Sequence, residues 1–311
     1  MPQGLTYFVE LPGHELQGLL SCPGVIQGLE NSQAAVSMAM LDLCDARRDA
    51  IRTLNEHNIP TTAWLVLEID EGYWLTADNA LVARERYREV KEWLNANNLR
   101  MEAVGLDMEM PYRDMCEMFD HWGRSIFRLF RCRRSHDVIE NAAAIYSDLI
   151  QEIRKDGRVV ETYQFPVILD ERRSRSTLLQ RIFGFVDMQS DREAIMLYQS
   201  MAPRFLDEAL IDLFGAECQA IGVGITGGGV SVVLDRIQDR TLDFDQLVRT
   251  LRYARRYTSQ LYVFSLEGCV SAGFFEKLCE VDIREPLPKL PLSRIVAMAR
   301  FALRIILRVA G

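Results

Sequence analysis

Short apolar runs alternate with longer amphipathic ones along almost the whole chain. Eight runs read as strands: Thr6–Leu11, Val36–Leu41, Thr62–Ile69, Ala103–Met110, Val159–Phe165, Ala194–Gln199, Ala220–Thr226 and Leu261–Glu267. Helical periodicity follows most of them, at Ala46–His57, Asn79–Asn97, a long region from Met115 to Lys155, Ser174–Phe183, Arg204–Phe214, Phe244–Tyr257 and Ala272–Glu280. Strand–helix alternation implies parallel βαβ units, and eight units imply closure. The expected fold is therefore α/β, a (β/α)8 TIM barrel over residues 1–283. A doubly wound open sheet is the alternative, but no G-x-G-x-x-G follows the first strand.

Within strands, side chains alternate faces. In the fourth, AVGLDMEMP, Val104, Leu106, Met108 and Met110 share one face and Ala103, Gly105, Asp107 and Glu109 the other. One face is greasy, while the other begins small and ends in two acids. The seventh and eighth strands show the same separation of bulky from small residues, as a crowded barrel lumen demands on some of its strands.

The C-terminal segment has a different character. Residues 284–291 are punctuated by prolines and read as a linker. Residues 292–311 then form a basic amphipathic helix, with Arg294, Arg300, Arg304 and Arg308 inside an arc of about 120° and Ile, Val, Met, Phe and Leu around the rest. Such a helix docks on its own domain, on a twin subunit, or on a membrane surface.

Composition narrows the function. The chain has 311 residues, is 49% hydrophobic, and carries a net charge of −8. That charge argues against nonspecific nucleic-acid binding, which needs a basic surface; the basic run Arg124–Arg134 reads as a solvated helix face. The seven cysteines include no CxxC pair, so neither a zinc ribbon nor a disulfide framework is expected, and a reducing, cytoplasmic setting is. The N-terminal residues do not have the pattern of a secretory leader, and no window offers the run of about 18 apolar residues of a spanning helix.

In a parallel barrel, chemistry sits at the C-terminal strand ends. Polar residues there are Glu10, Glu68, Asp70, Asp107, Glu109, Tyr163, Gln164, Tyr198, Gln199, Thr226 and Glu267. Acids from several strands would converge on one mouth. Two carboxylates are the tools of glycoside hydrolysis, one protonated to donate to the leaving oxygen and one charged. Neighbouring carboxylates drive their pKa values apart, which supplies both states. Trp64, Trp74 and Tyr73 offer flat apolar faces for sugar rings. Asp107 and Glu109, on one face of the fourth strand, are the candidate acid–base pair. Tyr198 and Glu267 are positioning groups, and Glu10, Glu68, Trp64, Trp74, Gln164 and Gln199 complete the substrate contacts. No cofactor or metal is implied, and the expected partner is a carbohydrate.

GLDMEMP resembles the tail of the DxxDxDxE signature of chitinase-type glycoside hydrolases, which are TIM barrels. The resemblance places the proton donor on Glu109 and the supporting acid on Asp107. AIMLYQ is similar to the family's M-x-Y-D, placing its tyrosine on Tyr198, and YVFSLEG looks like the eighth-strand ending. The chain departs from the family at Glu102, Gly105, Gln199 and Phe264, which stand where Asp, Asp, an acid and Trp are usual. A relative with another sugar specificity, or a non-catalytic glycan binder, fits these departures. A Mg²⁺- or Mn²⁺-dependent hydrolase or isomerase is a further alternative, because Glu10, Glu68, Asp107, Glu109 and Glu267 offer oxygen ligands. Gly222–Gly229, GVGITGGG, reads either as a tight turn or as an anion cradle.

Overall fold

The computed structural model describes residues 4–199, 207–229, 241–285, 287 and 294–310. Eight parallel strands close into a barrel in sequence order. They are β1 (Leu5–Val9), β2 (Ala35–Ala39), β3 (Thr61–Leu65), β4 (Ala103–Met108), β5 (Val159–Gln164), β6 (Arg192–Met196), β7 (Ala220–Gly224) and β8 (Leu261–Phe264). β1 pairs with β8 through Leu5↔Leu261 to Phe8↔Phe264, which completes the ring. The expected (β/α)8 TIM barrel is the observed fold.

The helices are α1 (Gly13–Leu20), α2 (Val25–Ser32), α3 (Asp45–Glu56), α4 (Ala80–Ala96), α5 (Tyr112–Asp120), α6 (Trp122–Arg131) and α7 (His136–Lys155). They continue as α8 (Val167–Ser174), α9 (Leu178–Phe183), α10 (Asp207–Phe214), α11 (Phe244–Ala254), α12 (Leu266–Ser271), α13 (Phe275–Glu280) and α14 (Arg294–Ala310). The long region after β4 is three helices rather than one. The first break falls at His121, and the second follows α6, where the Ser135 side chain caps α7 by accepting from the Val138 amide. The expected start of α10 at residues 204–206 and most of the linker 284–291 lie outside the described residues.

Two cores result from the alternation of strand side chains. Val104, Leu106 and Met108 of β4 join the outer core between sheet and helices. The lumen holds Phe8, Trp64, Tyr163 and Tyr262 beside Ala39, Ala194 and Ala220. Large rings from some strands need small residues on others, because the lumen has a fixed diameter. Gly105 shows the constraint most sharply: a Cβ there would sit 2.5 Å from the Tyr163 hydroxyl. Small residues face inward on β7, but on β8 the bulky Tyr262 does. The Phe8 ring lies 4.8 Å from Tyr163 and 5.4 Å from both Trp64 and Tyr262, forming an aromatic plug. Also inside the barrel, Glu161 pairs with Arg192 at 2.6 Å and accepts from the Tyr163 hydroxyl at 2.9 Å.

α14 packs on α8 with its charged face inward. Arg300 and Arg304 reach Asp170, which is almost fully buried, at 2.9 and 2.5 Å, and Arg300 also meets Glu217 at 3.0 Å. The Arg300 guanidinium lies 3.9 Å from the centre of the Phe214 ring. Leu307 is buried and Leu303 partly so. Met298, Phe301, Ile305, Ile306 and Val309 are left exposed.

Candidate active site

Three parts of the barrel bring four acids to the mouth. Glu10 follows β1, Asp107 lies in β4, Glu109 follows it, and Glu267 opens α12 just after β8. All four carboxylates are buried, Asp107 to 2% exposure and Glu109 to 9%. The Glu10 backbone amide donates to Glu267 Oε1 at 3.2 Å, which ties the ends of β1 and β8 together. The Tyr73 hydroxyl donates to Glu10 Oε1 at 2.5 Å.

Tyr73 reaches the mouth because the connection after β3 folds back onto the barrel. The Leu67 amide bonds to the Tyr73 carbonyl at 2.8 Å, and the Leu75 amide to the Asp107 carbonyl at 3.0 Å. Asn79 fastens the loop, donating to the Trp74 carbonyl at 2.9 Å and accepting from the Thr76 amide at 2.7 Å. Gly72 (φ +112°) and Tyr73 (φ +63°) both sit in the left-handed region. For a tyrosine this is a strained conformation, held by the backbone bonds to Leu67 and Glu68 with the ring hydroxyl bonded to Glu10. Trp74 packs edge-on to Tyr73 with ring centres 5.4 Å apart, and 5.7 Å from Tyr112.

The glycine run after β7 covers the other side. Gly227, Gly228 and Gly229 have φ of +124°, +80° and +89°. A Cβ on Gly228 would strike the Glu267 side chain, and one on Gly229 would strike Glu10 and Phe264. The loop is thus a tight turn laid against two carboxylates, which opposes the anion-cradle reading. Ser265 Oγ donates to the Gly227 carbonyl at 2.6 Å, and Thr226 Oγ1 accepts from the Ser265 amide at 2.9 Å.

Burial raises the Glu109 pKa well above the carboxylate range, and the charges of Asp107 and Glu10 add to it. Burial raises Asp107 too, with Glu10 next in effect, while the nearby Trp64 indole pulls the other way. Asp107 Oδ1 and Trp64 Nε1 are both buried without a hydrogen bond of good geometry. Glu267 is pushed up to about 8, chiefly by burial. Tyr198 is likewise raised by burial and by the charges of Asp107, Glu109 and Glu10. Burial and mutual repulsion thus favour the protonated forms of Asp107, Glu109 and Glu267 relative to exposed carboxyls.

The expected set converges in part. Glu10, Asp107, Glu109, Glu267 and Tyr198 come together. Trp64 lies lower, in the lumen, edge-on to Phe8 and Tyr163. Glu68 does not join them: the strand ends at Leu65, and Glu68 is exposed at the start of a 3₁₀ turn with Asp70. Gln164 is corrected as well. It is outward by alternation, and its amide donates at 3.2 Å to Glu193, itself paired with Arg172. Gln199 is buried with both amide atoms unpartnered. The expected extension of the eighth strand to Glu267 is replaced by a helix start capped by Ser265, whose side chain accepts from the Gly268 amide. The Tyr73–Glu10 bond and the covering glycines had only weak sequence cues, in EGYW and GITGGG.

Among the described residues, no group of three or more His, Cys, Asp and Glu could hold a metal ion. None of the seven cysteines forms a disulfide. No helix among the described residues is long and apolar enough to cross a membrane.

No family model matches the chain, and no curated protein matches its sequence. Solved structures match its fold. A chitinase from Rhizomucor miehei superposes with a TM-score of 0.50 at 13% identity, covering 90% of this chain and 100% of that one. The glycoside hydrolase domain of PgaB (BpsB) from Bordetella bronchiseptica gives 0.49 at 9% identity, over 93% and 100%. A 3-keto-D-glucoside 4-epimerase from E. coli gives 0.48 at 13% identity, over 90% and 99%. At 13% identity the likeness to the chitinase concerns the fold alone, and function must be argued from the mouth.

Proposed function

We propose that the protein is a glycoside hydrolase-like enzyme that cleaves a glycosidic bond by carboxylate acid–base chemistry. The observation that carries this reading is the set of four buried acids from three parts of the barrel, with pKa values pushed upward at Asp107, Glu109 and Glu267. Glu109, whose protonated form burial favours, donates its proton to the leaving glycosidic oxygen. Asp107 is the member of the pair whose charged form the neighbouring Trp64 indole favours, so it is the one that ionises and supplies negative charge against the developing positive charge at the anomeric carbon. The Tyr73–Glu10 bond fixes the opposite wall, while Tyr198 and Glu267 hold sugar hydroxyls. Trp74 lies packed with Tyr73 and Tyr112, so it contributes an edge of the wall.

Gly105 stands where the full signature has an acid, because Tyr163 fills that space. The missing acid, together with Gln199, favours one second reading, a non-catalytic glycan binder. Release of reducing ends from a broad glycan panel, measured in EDTA for the wild type and Glu109→Gln side by side, tests the proposal. Turnover by the wild type alone supports it. No turnover by either, with glycan affinity unchanged by the substitution, supports the binder.

A further inference from the structure

Helix α14 is turned inside out relative to an ordinary surface helix. Its arginines at 300 and 304 face the barrel, and Met298, Phe301, Ile305 and Val309 form a stripe at three- and four-residue spacing toward solvent. Val309 is 83% exposed. Helix α6 has a similar surface: Trp122, Phe127 and Phe130 are exposed, with Trp122 at 65%. Arginines lie over two of these rings, Arg131 at 5.8 Å from the centre of Phe127 and Arg133 at 5.1 Å from that of Phe130. Each helix is anchored to the buried inner cluster by one leucine, Leu129 from α6 and Leu307 from α14. Exposed large apolar side chains grouped in this way on a helix face mark interaction surfaces.

We propose that the exposed faces of α6 and α14 are docking surfaces for an anionic lipid membrane. Three observations select lipid. First, residues 122–134 and 294–310 together carry nine arginines and no acid, in a chain whose net charge is −8. Arg124, Arg131, Arg133 and Arg308 are exposed, and among the described residues none of them pairs with a carboxylate. Second, an exposed tryptophan with arginines around apolar side chains is the composition that settles at a headgroup boundary. A symmetric dimer over the same face would instead set these arginines against their own copies. Third, beside α5 and α9 lies a cavity of about 210 Å³ lined only by apolar residues, among them Met110, Met115, Met118 and Phe183. It suits a length of acyl chain. The proposal stands whether or not the mouth cleaves glycosides.

Vesicle flotation tests it with the full chain. Phosphatidylcholine vesicles with and without phosphatidylserine are compared at low and high salt. Each arginine near an anionic surface is worth about fivefold in partitioning, so the wild type should float at least about tenfold more with the anionic vesicles, and less at high salt. Phe301→Ser with Ile305→Ser, and separately Arg131→Glu with Arg133→Glu, should each lower flotation by about tenfold with an unchanged circular dichroism spectrum. The single changes Trp122→Ser and Val309→Ser, at exposed side chains, give the same readout if either double variant misfolds. Failure of the wild type to float, or flotation unaffected by all these changes, would overturn the proposal. Self-association lost in Phe301→Ser with Ile305→Ser, without vesicle binding, would assign the surface to a second copy and overturn it as well.

Discussion

Replacing Glu267 with glutamine should stabilise the protein at alkaline pH while impairing the mouth. Glu267 is 8% exposed, and its pKa is pushed up to about 8 from an ordinary 4.5. Its folded value is raised, so its contribution to stability is fully present below about pH 4.5 and is lost as pH rises toward 8. Between pH 5 and 8 the unfolded chain releases this proton while the folded chain keeps it. Each tenfold difference in proton affinity between the two states is worth about 1.4 kcal/mol, so the wild type loses about 3 to 4 kcal/mol over that range from this one group. Glutamine mimics the protonated acid and can still accept from the Glu10 amide, which donates at 3.2 Å. Glu267 Oε2 has no partner, so an amide nitrogen in its place is buried unpaired at a cost of about 1–3 kcal/mol. Glu267→Gln should therefore be the less stable form at pH 5 and equal to or above the wild type at pH 8. Urea unfolding of both proteins at several pH values reads the difference. Parallel stability curves across pH 5 to 8 would refute the reasoning.

Other consequences follow from the same contacts. Gly105→Ala forces a methyl against the Tyr163 hydroxyl and should destabilise by about 1–3 kcal/mol in thermal or chemical unfolding. Asp170→Ala leaves Arg300 and Arg304 facing a buried site without their shared carboxylate, so a loss of about 3–5 kcal/mol is expected, with faster amide exchange across residues 294–310. Tyr73→Phe removes the bond to Glu10 and leaves the backbone bonds of residue 73 in place; turnover should fall at least about tenfold with little change in unfolding midpoint. The rate should be bell-shaped in pH, with an alkaline limb above the ordinary carboxylate range because Glu109 keeps its proton, and Glu109→Gln should erase that limb.

The barrel was legible because each buried strand leaves an apolar run, and all eight runs became strands. Their C-terminal ends were not. The third run, Thr62–Ile69, yields a strand only to Leu65: Val66 and Leu67 are buried, but the Leu67 amide bonds to Tyr73 of the returning loop instead of a neighbouring strand. Helices α1 and α2 were missed. Each has eight residues and internal glycine, and Gly28 is needed where a Cβ would meet the Phe275 ring at 2.5 Å. The amphipathicity of α14 was plain, but its orientation was set by Asp170 and Glu217, acids on other elements that its own periodicity does not encode. The same limit applies at the mouth. Asp107 and Glu109 announced themselves by spacing. Tyr73 entered through a folded-back loop, and Glu68 and Gln164 were lost to the point where each strand ends and the face it turns outward.

The central claim is that Glu109 is a proton donor to a leaving oxygen. Its most direct test is turnover of two glycosides of the same sugar by wild type and Glu109→Gln, one with an alkyl leaving group and one with a dinitrophenol. The account predicts a loss of about 10² to 10⁴ on the alkyl glycoside and little loss on the dinitrophenyl one, which departs without a proton. Equal losses on both substrates, or none on either, would contradict it.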